Sequence, residues 1–194
     1  PQYNRIGHLL ESLKAVARQT HPDVEICVAD DASTDDTPEQ MLRFIATCPF
    51  PVRYERGPIN QGYDRTLRRA LELATGEYCL LLGNDDAPAD PGALARLAFL
   101  LDTHQRPEVG FTNYRPDGTT EPVRRASATA LWPGGTATAW AHYASFAFVG
   151  GVFFRRDAFG RVNADRADGS VFAQMYLAVR VLLGGGRLLT VDEP

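Results

Sequence analysis

Two pairs of adjacent carboxylates occupy equivalent places in the chain: Asp30 and Asp31 in "ICVADDAS", and Asp85 and Asp86 in "CLLLGNDDAP". Each pair follows an apolar run and precedes residues that start a helix. Like charges at neighbouring positions repel, and holding them at the end of a buried strand is costly unless something positive compensates. Such a pair can cap the turn into the next helix, or it can hold a divalent cation, for which hard carboxylate oxygens are suited. An ionised carboxylate only accepts hydrogen bonds, so it can also select a ligand that presents an N–H. Other chemistry-bearing residues say less. His8, His21, His104 and His142 show no metal-ligand spacing, and Cys27, Cys48 and Cys79 cannot all pair with one another. Cys27 and Cys79 fall within strand-like runs, which reads as reduced, buried thiols in a cytoplasmic protein.

The elements that position the acids follow from periodicity. Ile6, Leu9, Leu10, Leu13 and Val16 recur at helical spacing, predicting a helix over about Arg5 to Arg18. Val24 to Ala29 reads as a strand. "TPEQML" reads as a helix start with Thr37 as N-cap, Pro38 at the first position and Gln40 closing a capping box. "PVRYE" is a short strand, and Leu67, Ala70, Leu71 and Ala74 mark a helix stopped by Gly76. "EYCLLL" is an all-apolar strand of the kind covered on both faces. Asp90 and Pro91 start a helix carrying Leu94, Leu97, Ala98 and Leu101, and "VGFTN" is a further strand. This alternation predicts an α/β fold with a mostly parallel sheet flanked by helices. Ligands of such sheets bind outside the carboxyl ends of the strands, so both acid pairs should share one edge and one crevice. From about Arg115 to Ser145 small and polar residues predict a long irregular excursion. There Trp132, Trp140 and Tyr143 form either a ligand-stacking platform or simple loop anchors. "FAFVGGVFFRRDAF" then reads as a strand, about Ser170 to Leu183 as a helix, and "GGGRLLTV" as a turn and a last strand.

With 194 residues the chain has the length of one domain. Its Lys and Arg total 20 against 24 Asp and Glu, a net charge of −4 with no basic block, which argues against nucleic acid as a partner. No run approaches the roughly 18 apolar residues of a membrane span, and no signal peptide is visible.

The residues resemble the family 2 glycosyltransferases of the GT-A fold, which move a sugar from a nucleotide diphosphate to an acceptor hydroxyl. The carrying segments are "PQYNR" (1–5), "QTHPDVEICVADDASTDDT" (19–37) and "NQGYDRTLRRALELATGEYCLLLGNDDAPADP" (60–91), with the following helix. The resemblance spans most of residues 1–105 and loosens over 106–194. It implies a Rossmann-like sheet with a nucleotide-sugar-binding half over 1–112 and an acceptor-binding half over 113–194. It also implies a strand before Pro1 that this sequence lacks, so the chain reads as a piece of a longer protein. Pro1 and Tyr3 would flank the base, and Asp31 would accept its ring N–H, favouring UDP or TDP. Asp86 corresponds to the final acid of the family's metal motif, holding Mn2+ or Mg2+, and Asp85 to the neighbour facing the sugar or ribose. Gly83 departs from the common "DADD" by replacing its first acid, so metal would depend more on the diphosphate and water. Asn60 and Arg65 open the helix before the metal strand, where Arg65, or Arg68 as competitor, could reach the diphosphate. Relatives take the general base of this inverting reaction from a Glu-Asp pair that falls here at Ala173 and Gln174. Asp168 therefore becomes the candidate base, with Asp165 behind it and a helix cap as the plain alternative.

The resemblance further implies a nucleotide-diphospho-sugar donor and a saccharide, lipid-linked or small-molecule acceptor. It places the protein in the cytoplasm, with any membrane association carried by parts outside this sequence. Bacterial surface polysaccharide or natural-product glycosylation is the setting it suggests. Three rivals stand beside it. A nucleotidyltransferase needs a Gly-rich phosphate loop near the start, which is absent. A phospho-receiver module needs a lysine at a late strand end, whereas Lys14 in the first helix is the only lysine. A catalytically weak nucleotide-sugar-binding protein is kept in view by Gly83.

Overall fold

The computed structural model describes residues 1–194. It divides into two compact units built from interleaved segments: residues 1–76, 83–96 and 165–173 form one, and 77–82, 97–164 and 174–194 the other.

The first unit carries α1 (Ile6–Ala17), β1 (Ile26–Asp30), α2 (Thr37–Ile45), β2 (Val52–Arg56) and α3 (Tyr63–Leu73). β1 and β2 pair in parallel from Ile26 opposite Val52 to Asp30 opposite Arg56. On β1's other side Gln2 makes a parallel bridge to Asp30. The periodicity of α1 is obeyed, with Leu9, Leu13 and Val16 buried. In α3 the buried stripe is Asp64, Leu67 and Leu71 with Thr66 and Ala70, and this helix packs on β1.

The start of α2 differs from the capping box. The helix begins at Thr37, Asp36 holds the cap position, and no side chain there bonds a helix amide. Asp35 does that work instead. Its carboxylate accepts the Thr37 N–H at 3.1 Å and the Ile6 N–H at 3.2 Å, so one ionised acceptor serves the N-termini of both α2 and α1. The Thr37 hydroxyl donates to the same Asp35 carboxylate and accepts from Gln2 Nε2 at 3.0 Å.

The second unit carries β3 (Tyr78–Leu80), β4 (Val109–Thr112), β5 (Ala130–Trp132), α5 (Thr136–His142), β6 (Val152–Arg155), α6 (Arg156–Val162), β7 (Leu188–Val191) and α7 (Ala173–Leu183) from Gln174 onward. α4 (Ala93–Thr103) supplies Leu97, Leu100 and Leu101, which pack with Phe153, Leu189 and Val191. The strand order is β3-β6-β4-β7-β5, and only β4 and β7 pair in parallel. The sheet is thus mixed where helix–strand alternation predicted mostly parallel pairing. β6 follows the excursion, which carries β5 and α5, and inserts antiparallel between β3 and β4. Gly110 permits this three-strand centre, because a Cβ there would lie 2.2 Å from the Phe153 ring and 2.3 Å from the Leu189 carbonyl oxygen.

The excursion is more ordered than its composition predicts. Besides β5 and α5 it holds a 3-10 turn over Tyr143–Phe146. Arg125 organises it: the guanidinium donates to the carbonyls of Thr112, Ser145, Phe148 and Gly150 and lies against the rings of Phe111, Tyr114 and Phe148. "RRDAF", read with the preceding strand, instead opens α6, where Asp157 pairs with both Arg155 and Arg161.

Candidate functional site

Every residue singled out for the donor and its metal lies in the first compact unit, and so does Asp168. Gln2 joins the two acid pairs. Its backbone brackets the end of β1, donating to Ala29 O at 2.9 Å and accepting from Asp31 N at 2.8 Å, while its side-chain oxygen accepts from Asn84 Nδ2 at 3.0 Å. Its amide nitrogen donates to Thr37 Oγ1 at 3.0 Å. Gln2 therefore links the carboxyl end of β1 to the turn bearing Asp85 and Asp86, although β1 and β3 belong to different sheets. Gln2 itself, fully buried, was not among the residues that sequence reasoning singled out.

The four acids have separate duties. Asp30 is structural: its carboxylate accepts Ser33 N–H at 2.9 Å and the Tyr54 hydroxyl at 2.7 Å. Burial first, and then the Asp30 bond, push the Tyr54 hydroxyl well above its ordinary range. Asp31, only 3 % exposed, accepts the N–H groups of Gln61 at 2.7 Å and Gly62 at 2.8 Å, one on each oxygen. It positions the loop that opens α3. Asp85 is half-exposed and pairs with Arg5 at 2.9 Å. Asp86 accepts the Gly83 N–H at 2.7 Å, and its own carbonyl accepts the Ser12 hydroxyl. A Cβ at position 83 would stand 2.7 Å from the Asp86 carboxylate, so this inward pose requires the glycine that replaces the acid of the common motif. Burial and the charges of Asp64 and Asp86 raise the Tyr63 hydroxyl, which places Tyr63 in the field of both carboxylates.

As a metal centre the site is partial. Nowhere in the chain do three His, Cys, Asp or Glu side chains gather in a way that could hold an ion. Carboxylate oxygens are ligands that a hard divalent cation takes, and here a complete shell would need ligands from outside the protein.

Pro1 and Tyr3 begin the bracketing segment, and Tyr3 is 45 % exposed. Asn4, in left-handed conformation at φ 49°, ties that segment to the turn after β1: its Oδ1 accepts the N–H groups of Thr34 and Asp35. Asn60 accepts from Gly62 N–H at 3.1 Å, shaping the same loop as Asp31. Arg65 is exposed on α3 and makes no ion pair, whereas its competitor Arg68 is committed.

Asp168, the candidate base, is the other half of that pair. Arg68 Nε and Nη2 grip both Asp168 oxygens at 2.9 and 2.6 Å, and this bond raises the arginine's already high pKa. Both oxygens of this carboxylate are therefore engaged within the protein by one guanidinium. Asp168 does not cap α7, which starts at Ala173. The cap comes from α3. Asp64, 2 % exposed, accepts Ala173 N–H at 2.9 Å and Val171 N–H at 2.7 Å. One turn apart on α3, Asp64 and Arg68 thus latch residues 168–173. The latched segment holds Val171 at φ 59°, a strained value for a β-branched residue. Asp165, the second base candidate, is exposed in a 3-10 turn.

The aromatic candidates lie in the second unit. Trp132 donates to Thr190 Oγ1 at 3.2 Å and packs on His142, which anchors its loop. Trp140, 78 % exposed, stacks on Tyr143 with ring centroids 5.7 Å apart. Cys27, Cys48 and Cys79 are all free, and burial raises the Cys27 thiol to about 11.

Residues 1–162 match the sequence model of glycosyl transferase family 2. An abequosyltransferase of Salmonella typhimurium is 40 % identical over 105 residues, which is 53 % of this chain and 31 % of that protein. A mycobacterial glycosyltransferase of PGL/p-HBAD biosynthesis, from Mycobacterium bovis, is 32 % identical over 129 residues, covering 61 % of this chain and 48 % of its own. The chain therefore spans less than half the length of these curated relatives. Staphylococcus aureus TarS, solved with UDP, superposes with a TM-score of 0.80 at 19 % identity, over 100 % of this chain and 56 % of that one. A mannosyltransferase of Pyrobaculum calidifontis, solved with GDP-Man and Mn2+, gives a TM-score of 0.73 at 20 % identity, over 99 % and 53 %.

Proposed function

Because the chain belongs to glycosyl transferase family 2, we propose that it transfers a sugar, with inversion, from a nucleotide diphosphate to an acceptor hydroxyl. The observation that carries this reading is the Gln2 junction, which links Asp31 to the Asn84–Asp86 turn. Asp31, with Tyr3 and Pro1 beside it, reads the base, and a carboxylate that can only accept favours the imide N–H of UDP or TDP. Asp86 holds Mn2+ or Mg2+, which when bound neutralises the diphosphate leaving group. Asp85 faces the sugar, and Asn60 and Arg65 face the diphosphate from the start of α3. Residues 1–112 then serve the donor. Residues 113–194 serve a saccharide, lipid-linked or small-molecule acceptor, with Trp140 and Tyr143 available to stack on a sugar face. The free thiols support a cytoplasmic location, and no helix is long and apolar enough to cross a membrane. Bacterial surface polysaccharide or natural-product glycosylation is the setting in which we place it.

Calorimetric titration of UDP, TDP and GDP with and without Mn2+ tests the reading. UDP or TDP should bind more tightly with the metal, and Asp86→Ala should abolish the difference. Equal affinities in both conditions would remove the metal from the proposal. A catalytically weak nucleotide-sugar binder is the second reading. It is favoured by the missing acid at Gly83 and by the fork that occupies Asp168, and a donor-hydrolysis assay separates the two.

A further inference from the structure

α1 buries Leu9, Leu13 and Val16, yet a line of polar residues runs along it at seven-residue spacing: Arg5 at its N-cap position, Ser12 in its middle and Gln19 just past its end. Residues seven apart lie on nearly the same face of a helix. All three reach the segment that follows β3, in ascending order along both. Arg5 Nη2 donates to Asp85 Oδ2 at 2.9 Å, and Ser12 Oγ donates to the Asp86 carbonyl. Gln19, 7 % exposed, donates from Nε2 to Asp90 O at 2.8 Å and accepts the Leu94 N–H at 3.0 Å, one of the unpaired amides in the first turn of α4. The Thr20 N–H adds a bond to Pro91 O at 2.8 Å.

The Arg5 pair is half-exposed and adds little to stability, whereas Ser12 and Gln19 are buried. Serine inside a helix is a weak helix former, and an unbonded hydroxyl on the buried stripe would be costly. Ser12 instead bonds a carbonyl 74 residues away in sequence. The Asp86 N–H bonds to Gly83 O at 3.2 Å, so the backbone is held on both sides of the Asp86 Cα. The direction of its carboxylate is thereby set from α1.

We propose that Ser12 is a positioning residue for Asp86: α1 is a rail that holds the acidic turn, with Ser12 making the contact at the acid and Gln19 anchoring the exit of the turn. The inference rests on the reading that Asp86 serves the donor diphosphate, and it adds residues that act only through the turn.

The test is calorimetry of UDP with Mn2+ on the full chain, run as a double-mutant cycle. Ser12→Ala should weaken UDP binding about 5-fold, the worth of one hydrogen bond. In the Asp86→Ala background the same substitution should change nothing, because the carboxylate it orients is gone. Alanine is the better helix former, so α1 itself should persist. Val16→Ala removes packing from the same buried stripe, and should lower the melting temperature while leaving UDP affinity at the parental value. In Ser12→Ala the Asp86 amide should exchange faster, while the Asp31 amide, bonded to Gln2 O, keeps its protection. If Asp86→Ala weakens UDP binding but Ser12→Ala binds like the parent, or weakens binding equally in both backgrounds, the positioning role is refuted and the donor reading stands. If Asp86→Ala binds UDP like the parent, or the parent takes up no UDP, the reading of Asp86 fails and the inference falls with it.

Discussion

Replacing Asp64 by Asn probes the latch between α3 and residues 168–173. In the parent one carboxylate oxygen accepts Ala173 N–H and the other Val171 N–H. Asn keeps one acceptor oxygen and turns an NH2 group toward the other amide, so one charge-assisted bond is lost and a buried donor is left facing a donor. The lost bond is worth about 1.5–3 kcal/mol and the unpaired group about 1–3 kcal/mol, together about 2.5–6 kcal/mol and centred near 4. Against this, once freed, Val171 can leave its left-handed conformation and recover about 1–3 kcal/mol of backbone strain. The net loss of global stability should therefore be about 2 kcal/mol, smaller than the buried bonds suggest, while the segment itself opens. Urea denaturation measures the first quantity, and amide hydrogen exchange at Val171 and Ala173 the second. Both amides should lose protection while β4 and β7 keep theirs. Val171→Gly tests the strain term separately: in the parent it should be neutral or stabilising, since glycine adopts φ near 59° at no steric cost. An Asp64→Asn protein within about 0.5 kcal/mol of the parent, with both amides still protected, would refute the latch.

Three further outcomes are expected. Asp31→Asn should weaken UDP or TDP binding by about 1–3 kcal/mol in calorimetry, and it should also raise exchange at Gln61 and Gly62, whose amides Asp31 holds. Thr37→Ala should cost about 2 kcal/mol in denaturant unfolding, more than a simple cap, because it strips the buried Gln2 amide of its acceptor. Burial lowers the His142 pKa below its ordinary 6.5, so the unfolded chain binds the proton first; stability is full above that value and should fall as pH drops below about 6.5. His142→Phe should flatten the melting temperature between pH 7 and 5.5, and an unchanged slope would assign that pH dependence to other groups.

The legible part of the fold is the part whose contacts are local or periodic. α1, β1, β2, α3, α4 and β4 were readable because apolar residues at helical or strand spacing report burial directly. β6 shows where that stops. Its apolar run was visible, but its antiparallel place between β3 and β4 depends on pairing with strands more than 40 residues away in sequence, which periodicity does not encode. The excursion was misjudged for a related reason. Its order comes from a single guanidinium collecting four carbonyls and three rings, and composition sees only small and polar residues around Arg125.

The site divides along the same line. Asp31, Asp85 and Asp86 stood out because adjacent carboxylates at strand ends need an explanation from sequence alone. The partners that decide what each acid does were hidden, since Arg5 lies 80 residues from Asp85 and Arg68 lies 100 from Asp168. One signal was nevertheless available. Asp64 falls on the stripe of Leu67 and Leu71, at the i, i+3, i+7 positions that face the core of α3. A carboxylate on an apolar face is costly unless it is bonded, so its presence there announces buried N–H or cationic partners even when they cannot be named. The same argument applies to Thr37 and Gln2, and it singles out polar residues in core registers where motif reading singles out only the clustered acids. Asp168 is the counter-case. Its candidacy as base came from the family resemblance and its place before a helix, and the residue that engages it, Arg68, sits one turn along α3 from the buried Asp64.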